Sequence, residues 1–173
     1  MNNFIIFDRD GTLIEFEHYL IDPELLKINE STIRGLKVLS ANGFKFGVIS
    51  NQSIIGRGVA SIEQVDLVND KMLEQFNTFG IYFEFVYYCP HNPTDACSCR
   101  KPSTALGMRA LSEYQINVEK SYMIGDMDSD IKFGKSLNLT TIKIHAVKSD
   151  IAEFTARDIL SAAEWIIGKN EFR

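Results

Sequence analysis

Five short apolar runs, each closing on polar residues and separated from the next by a stretch with helical signals, constrain the fold of this chain most strongly. The runs are Phe4 to Phe7, Phe44 to Ser50, Tyr82 to Tyr88, Ser121 to Gly125 and Thr140 to Ile144. Strands that alternate with helices are joined by right-handed crossovers, which gives a parallel sheet covered by helices on both faces. The expected class is therefore α/β, a three-layer sandwich with a mostly parallel sheet. Ligands of such sheets lie beyond the carboxyl ends of the strands, so residues that follow the runs share one edge of the molecule.

Between the first two runs, Ser31 or Thr32 is placed to cap a helix that continues through Ser40, with Gly43 just past its end. Ser61 is placed to cap the next helix, whose Ile62, Val65, Leu67, Val68, Met72, Leu73 and Phe76 recur at helical spacing and read as core. Further helices are expected from about Ser103 to Tyr114, with Pro102 at its start, and from about Asp128 to Leu137. After Val147 only a terminal helix around Ala162 to Ile167 is expected, with Trp165 as a packing residue.

The first run ends in Asp8-Arg-Asp-Gly-Thr12. Side chains one residue apart on an extended segment point the same way, so Asp8 and Asp10 can face a single bound atom. Two converging carboxylates call for a cation, and hard oxygen ligands suggest Mg²⁺. One carboxylate can then attack an electrophile while the other moves a proton, the division of labour needed for phosphoryl transfer through an aspartyl phosphate. The alternative is an ordinary turn that uses Asp and Gly for local hydrogen bonding and positive φ.

With 173 residues, 45% of them hydrophobic and 24% charged, the chain suits one domain spanning 1–173. It has no apolar stretch near the roughly 20 residues of a membrane span and no signal-peptide pattern at Met-Asn-Asn-Phe, so a cytoplasmic monomer with no membrane partner is expected. A formal net charge of −5 argues against general nucleic-acid binding. It also means that any phosphate site must be made locally positive by a metal, a few basic residues and backbone N–H groups.

All three cysteines lie in Cys89-Pro-His-Asn-Pro-Thr-Asp-Ala-Cys-Ser-Cys99. Cys89, His91, Cys97 and Cys99 form a C-x-H-x₅-C-x-C pattern that suits a closed tetrahedral Zn²⁺ site, a staple for a loop with no apolar core. A disulfide plus one thiol, or three unrelated thiols, are the competing readings. His18 and His145 lie outside the pattern and read as surface residues.

Arg100-Lys101 follows the last cysteine, where a rigid loop could hold both cations over the active edge, Lys as a point charge and Arg as a forked donor. The alternative is a solvated basic pair. Ser50, Asn51, Gln52 and Ser53 follow the second run and offer hydroxyl and N–H donors to a phosphoryl group, although such polar runs are also common turns. Gly56 and Gly58 permit a flexible loop that brings Arg57 to an anionic substrate. After the fourth run, Asp126 offers a third carboxylate to the metal, with Asp8 and a backbone oxygen near Asp10 completing the protein ligands. Asp130 is placed to orient Lys101 or to cap backbone N–H groups, and Asp128 reads as a helix-start residue.

Asp8-Arg-Asp-Gly-Thr12, Ser50-Asn51, Lys101 and Gly125-Asp126-x-x-x-Asp130 resemble, in order and approximate spacing, the four motifs of haloacid dehalogenase-like phosphatases. The resemblance covers residues 4 to about 145, and the Cys89 to Pro102 block is similar to a zinc-bearing subgroup that includes heptose 1,7-bisphosphate phosphatases and histidinol-phosphate phosphatases. It implies a Rossmann-like fold without a large cap domain and a small phosphorylated substrate. It further implies Asp8 as nucleophile and Mg²⁺ ligand, Asp10 as acid/base, Ser50 and Lys101 as phosphoryl contacts, Asp126 as a further Mg²⁺ ligand and Arg100 as a substrate contact. Asn51-Gln-Ser-Ile-Ile-Gly-Arg-Gly58 and the segment through His18-Tyr19 resemble the heptose enzymes, which implies substrate contacts from Tyr19, Asn51, Gln52, Ser53 and Arg57. The zinc-loop spacing resembles the histidinol-phosphate enzymes instead. Met127 stands where both groups tend to carry Lys or Arg, a loss for which Arg57 or Arg9 is placed to compensate. A phosphate-binding protein without activity and a phosphatase of DNA ends or phosphoproteins are the rival classes, the second disfavoured by the acidic balance.

Overall fold

Residues 1–171 are described in a computed structural model, in which the apolar runs pair into one six-stranded sheet. The strands are β1 (Phe4–Phe7), β2 (Lys45–Asn51), β3 (Phe83–Cys89), β4 (Tyr122–Gly125), β5 (Thr140–Ile144) and β6 (Phe154–Ala156), in the order β3-β2-β1-β4-β5-β6. Every neighbouring pair is parallel. β1 lies between β2 and β4, where the order reverses, and this is where sheets of this topology open a crevice for ligands.

The alternation of β1 divides the interior in two. Ile5 and Phe7 enter one core with Leu36 and Leu39 of α1 (Glu30–Ala41), Val68, Met72 and Phe76 of α3 (Ile62–Thr78), and Ala162, Ala163 and Ile166 of α6 (Ile159–Glu171). Phe4 and Ile6 enter the other with Ala110 of α4 (Ala105–Glu113) and Phe133 of α5 (Asp128–Ser136). The chain is thus a Rossmann-like α/β sandwich. No helix among the described residues is long and apolar enough to cross a membrane.

Several local expectations need correction. α1 starts at Glu30 with Asn29 at its N-cap, so Thr32 lies buried in the first turn and does not cap it. Ser61 does cap α3, through a capping box with Gln64. Ile62 and Leu67 of the supposed core stripe are 50% and 57% exposed. Val65, Val68, Met72 and Phe76 repeat at three and four residues, whereas Leu67, two residues after Val65, is turned about 200° away. Pro102 is in the turn before α4, joined to Lys101 by a cis peptide. Residues 53–56 form a short helix, α2 (Ser53–Gly56), in place of a flexible loop. Beyond Val147 the structure adds β6, whose Phe154 stacks on Trp165 at 4.6 Å between ring centroids.

Ile6→Ala should cost about 2–5 kcal/mol, because a fully buried central-strand side chain leaves a cavity. Leu67→Ala should stay within about 0.5 kcal/mol of wild type. Urea unfolding of both variants checks the pair.

Candidate active site

The Asp8 N–H donates to the Ile124 carbonyl at 2.9 Å, continuing the β1–β4 ladder one residue past the strand and setting Asp8 beside the end of β4. Carboxylate oxygens of Asp8, Asp126 and Asp130 lie within 4.8 Å of one another. The turn that follows requires glycine: Gly11 has φ +75°, and a Cβ there would stand 2.7 Å from Asp126 Oδ2.

Lys101 is the cation of this cluster. Its side chain is 1% exposed, and Nζ reaches Asp8 Oδ1 at 2.7 Å, Asp130 Oδ1 at 2.8 Å and the Ile49 carbonyl. Burial opposes its charge, but Asp8 and Asp130 outweigh burial and raise its pKa. The second Asp130 oxygen accepts the Met127 N–H at 2.9 Å, so Asp130 both orients Lys101 and caps α5. Asp128 is the first residue of α5 and pairs with Lys143.

One ammonium does not balance three carboxyls. Burial pushes Asp8 up to about 7 even against Lys101, and burial together with Asp130 pushes Asp126 up to about 6. Asp126 Oδ1 is buried without a hydrogen-bond partner. An orphaned carboxylate oxygen in a cluster where burial disfavours the negative charge of Asp8 and Asp126 fits a divalent cation, which these two could hold.

Asn51, expected to touch substrate, spends its amide on Lys101. Its Nδ2 donates to the Lys101 carbonyl at 3.1 Å and its Oδ1 accepts the Lys101 N–H at 2.9 Å. Arg9 lines the pocket and is likewise engaged by the protein. Its guanidinium is buried and committed within the protein, donating to Asp10, Gln52 and Asn69. Gln52 Nε2 donates to Asp10 Oδ2 at 2.7 Å and to Ser50 Oγ at 2.6 Å. Because Ser50 Oγ accepts there, its own proton is turned to other acceptors. Asn69 went unnoticed in the sequence; its signal is a lone amide in the buried stripe Val65, Val68, Asn69, Met72 of α3.

A pocket of about 430 Å³ opens over Asp8, Asp10, Ser50 and Asp126. Its outer wall includes Ser53, Arg57, Arg100, Tyr19, Phe16 and Met127. Arg57 is the C-cap of α2 and is exposed, and Arg100 Nη1 is buried with no partner. His18 stands at the same mouth with its ring 3.9 Å from that of Tyr19, whereas His145 lies elsewhere on the surface.

Cys89, His91, Cys97 and Cys99 converge, and the three cysteines are free of disulfides. Cys89 Sγ is 3.7 Å from Cys97 Sγ and 3.1 Å from Cys99 Sγ, and His91 Nδ1 is 3.5 Å and 3.1 Å from the sulfurs of Cys89 and Cys99. A tetrahedron with roughly 2.3 Å metal–sulfur bonds has edges of about 3.8 Å, so the set could hold a metal ion once the two pairs at 3.1 Å spread slightly. The cluster is tied to the site, since the N–H groups of Gln52 and Gly56 donate to the carbonyls of Cys89 and Pro90, each at 2.8 Å. A Cβ on Gly56 would meet Asn92 N at 2.4 Å, so α2 lies directly on the loop.

A probable D-glycero-D-manno-heptose-1,7-bisphosphate 7-phosphatase of Thermoplasma acidophilum is 35% identical over 136 residues, 78% of this chain and 85% of that protein. The chain belongs to the haloacid dehalogenase-like hydrolases. A family profile described as HAD-hydrolase-like matches residues 98–163. The histidine biosynthesis bifunctional protein of Legionella pneumophila is 33% identical over 165 residues, 94% of this chain, which spans 46% of that relative's length. Among solved structures, a D,D-heptose 1,7-bisphosphate phosphatase from B. bronchiseptica, complexed with magnesium and phosphate, shares the fold of this hydrolase. Its TM-score is 0.86 at 19% identity, over 96% of this chain and 99% of that one.

Asn51→Ala should cost about 1–3 kcal/mol by unpairing two backbone groups of Lys101. Denaturant unfolding checks the loss, and a crystal structure of the variant should show Lys101 displaced from Asp8.

Proposed function

We propose that this hydrolase is a Mg²⁺-dependent phosphomonoesterase acting through an aspartyl phosphate on a small phosphorylated metabolite, D-glycero-D-manno-heptose 1,7-bisphosphate, from which it releases the 7-phosphate. The observation that carries the reading is the meeting of Asp8, Asp126 and Lys101 on the floor of a pocket whose wall holds Arg57 and Arg100, neither of which pairs with a carboxylate among the described residues. Asp8, Asp126 and a backbone oxygen at Asp10 would hold Mg²⁺, which when bound supplies charge neutralisation at the phosphoryl oxygens.

Asp8 attacks phosphorus as the bond to the ester oxygen breaks, and Asp10 gives that oxygen its proton to release the alcohol. Water then attacks the phosphoaspartate, Asp10 takes a proton from it, and the bond to Asp8 breaks to release inorganic phosphate. Lys101 and the Ser50 hydroxyl steady the phosphoryl oxygens through both halves. Arg57 and Arg100 favour a second anionic group on the substrate, as a bisphosphate offers, and Arg57 offsets the cation missing at Met127. Ser53 and Tyr19 complete the wall around the sugar.

Histidinol phosphate is the second reading. The rings of Phe16 and Tyr19 beside Glu17 at the pocket mouth would suit an imidazole and an ammonium group, and the Legionella relative supports it. The proposed setting is the cytoplasm, where reducing conditions keep cysteines available to a metal. Cys89, His91, Cys97 and Cys99 are assigned to one structural Zn²⁺.

Turnover of the two substrates side by side, by wild type and Asp8→Asn, tests the reading. Wild type should show the larger kcat/KM for the heptose bisphosphate and Asp8→Asn no turnover of either; a reversed preference would replace the substrate, and an active variant the nucleophile. Elemental analysis should find one zinc per chain. Cys97→Ser should lose it and, because the loop carries Arg100 and Lys101, lower kcat/KM by on the order of 10-fold or more.

A further inference from the structure

The residue between the two motif aspartates is spent on an internal network. Arg9 is 1% exposed and folds back on its neighbour: Nε donates to Asp10 Oδ2 and Nη2 to Asp10 Oδ1, both at 3.1 Å. Nη1 donates to Asn69 Oδ1 of α3 at 2.8 Å, and Nη2 also donates to Gln52 Oε1 at 2.9 Å. The planar fork meets three acceptors at once, a geometry that lysine cannot reproduce.

Asp10 is thereby fixed on one side and open on the other. Its side chain is 21% exposed toward the pocket, while Oδ2 accepts from both Arg9 Nε and Gln52 Nε2, the latter at 2.7 Å. Oδ1 accepts from Arg9 Nη2 and is the less occupied oxygen. Every guanidinium nitrogen of this buried cation donates to the protein, and a helix braces it on the far side. Its bonds fix where the Asp10 carboxylate sits, and small displacements of a reacting group are costly to rate.

We propose that Arg9, braced by Asn69, is a positioning residue that holds the Asp10 carboxylate so that Oδ1 exchanges the proton in both halves of the reaction. This rests on the phosphatase reading above. It extends that reading to Asn69, which does not line the pocket.

The test uses the full chain with Mg²⁺, an alkyl phosphomonoester and p-nitrophenyl phosphate. Departure of an alkoxide needs the proton from Asp10, whereas nitrophenolate leaves without it; release of the phosphoryl group from Asp8 needs Asp10 in either case. Arg9→Met should lower kcat on the alkyl ester by about 100-fold, and Asn69→Leu by about 10-fold, with KM within roughly threefold of wild type. With p-nitrophenyl phosphate both variants should give a stoichiometric burst of nitrophenolate and then slow turnover. Arg9→Lys, which keeps the charge and loses the fork, should remain closer to Arg9→Met than to wild type.

Should Arg9→Met fail to fold, Asn69→Leu on α3 carries the same readout. Folded variants with unchanged kcat, with a loss confined to KM, or with equal losses on the two esters and no burst would overturn the assignment and leave the phosphatase reading standing. A wild-type protein that hydrolyses neither ester would overturn both.

Discussion

The ammonium of Lys101, shared between Asp8 and Asp130, is the interaction on which the rest of the site depends. It joins residues 93 positions apart and draws the ends of β1 and β4 to the loop after the cysteines. A buried charge of this kind is tolerated only when its partners are in place, and removing one leaves an uncompensated ion that costs several kcal/mol. The surrounding structure is arranged to supply the partners. Asn51 grips the Lys101 backbone from both sides, Met127 N–H steadies Asp130, and the main chain of Ile49 takes the remaining bond.

The cysteine loop extends that dependence outward. Residues 90–99 contain no helix or strand and few buried side chains, yet this segment delivers Arg100 and Lys101 to the sheet edge. Its shape comes from four convergent donor groups and from hydrogen bonds to Gln52 and Gly56. The same bonds fix Gln52, whose amide links Asp10 to Ser50. The floor of the site and its wall are therefore set by one connected network, with the cysteine cluster at one end and Asn69 at the other.

Much of this was legible in the sequence because the chemistry there is local. The strand ends Asp8, Ser50 and Asp126 follow apolar runs directly, and a sheet of alternating connections brings them together by topology alone. The C-x-H-x₅-C-x-C spacing likewise marks a cluster without any knowledge of the fold. What stayed hidden depends on direction. Sequence spacing cannot show that Arg9 turns into the protein, that Asn51 faces a backbone 50 residues away, or that Leu67 falls on the outer side of α3. The strand β6 was hidden for a different reason: three residues carry too little periodicity to be told from a loop.

The placement of charge explains how an acidic protein can receive the phosphorylated ligand proposed for it. Against a net charge of −5, four basic side chains surround the pocket, and they divide into two pairs. Arg9 and Lys101 are buried and their positive charge is absorbed by Asp8, Asp10 and Asp130, so they order these carboxylates and contribute little field at the mouth. Arg57 and Arg100 have no such carboxylate among the described residues and keep their charge available to the pocket. On the proposed function, attraction of an anion falls to the outer pair and the management of protons to the inner one. Under that proposal, substitutions in the two pairs act on different terms, the outer on capture of substrate and the inner on the chemical steps.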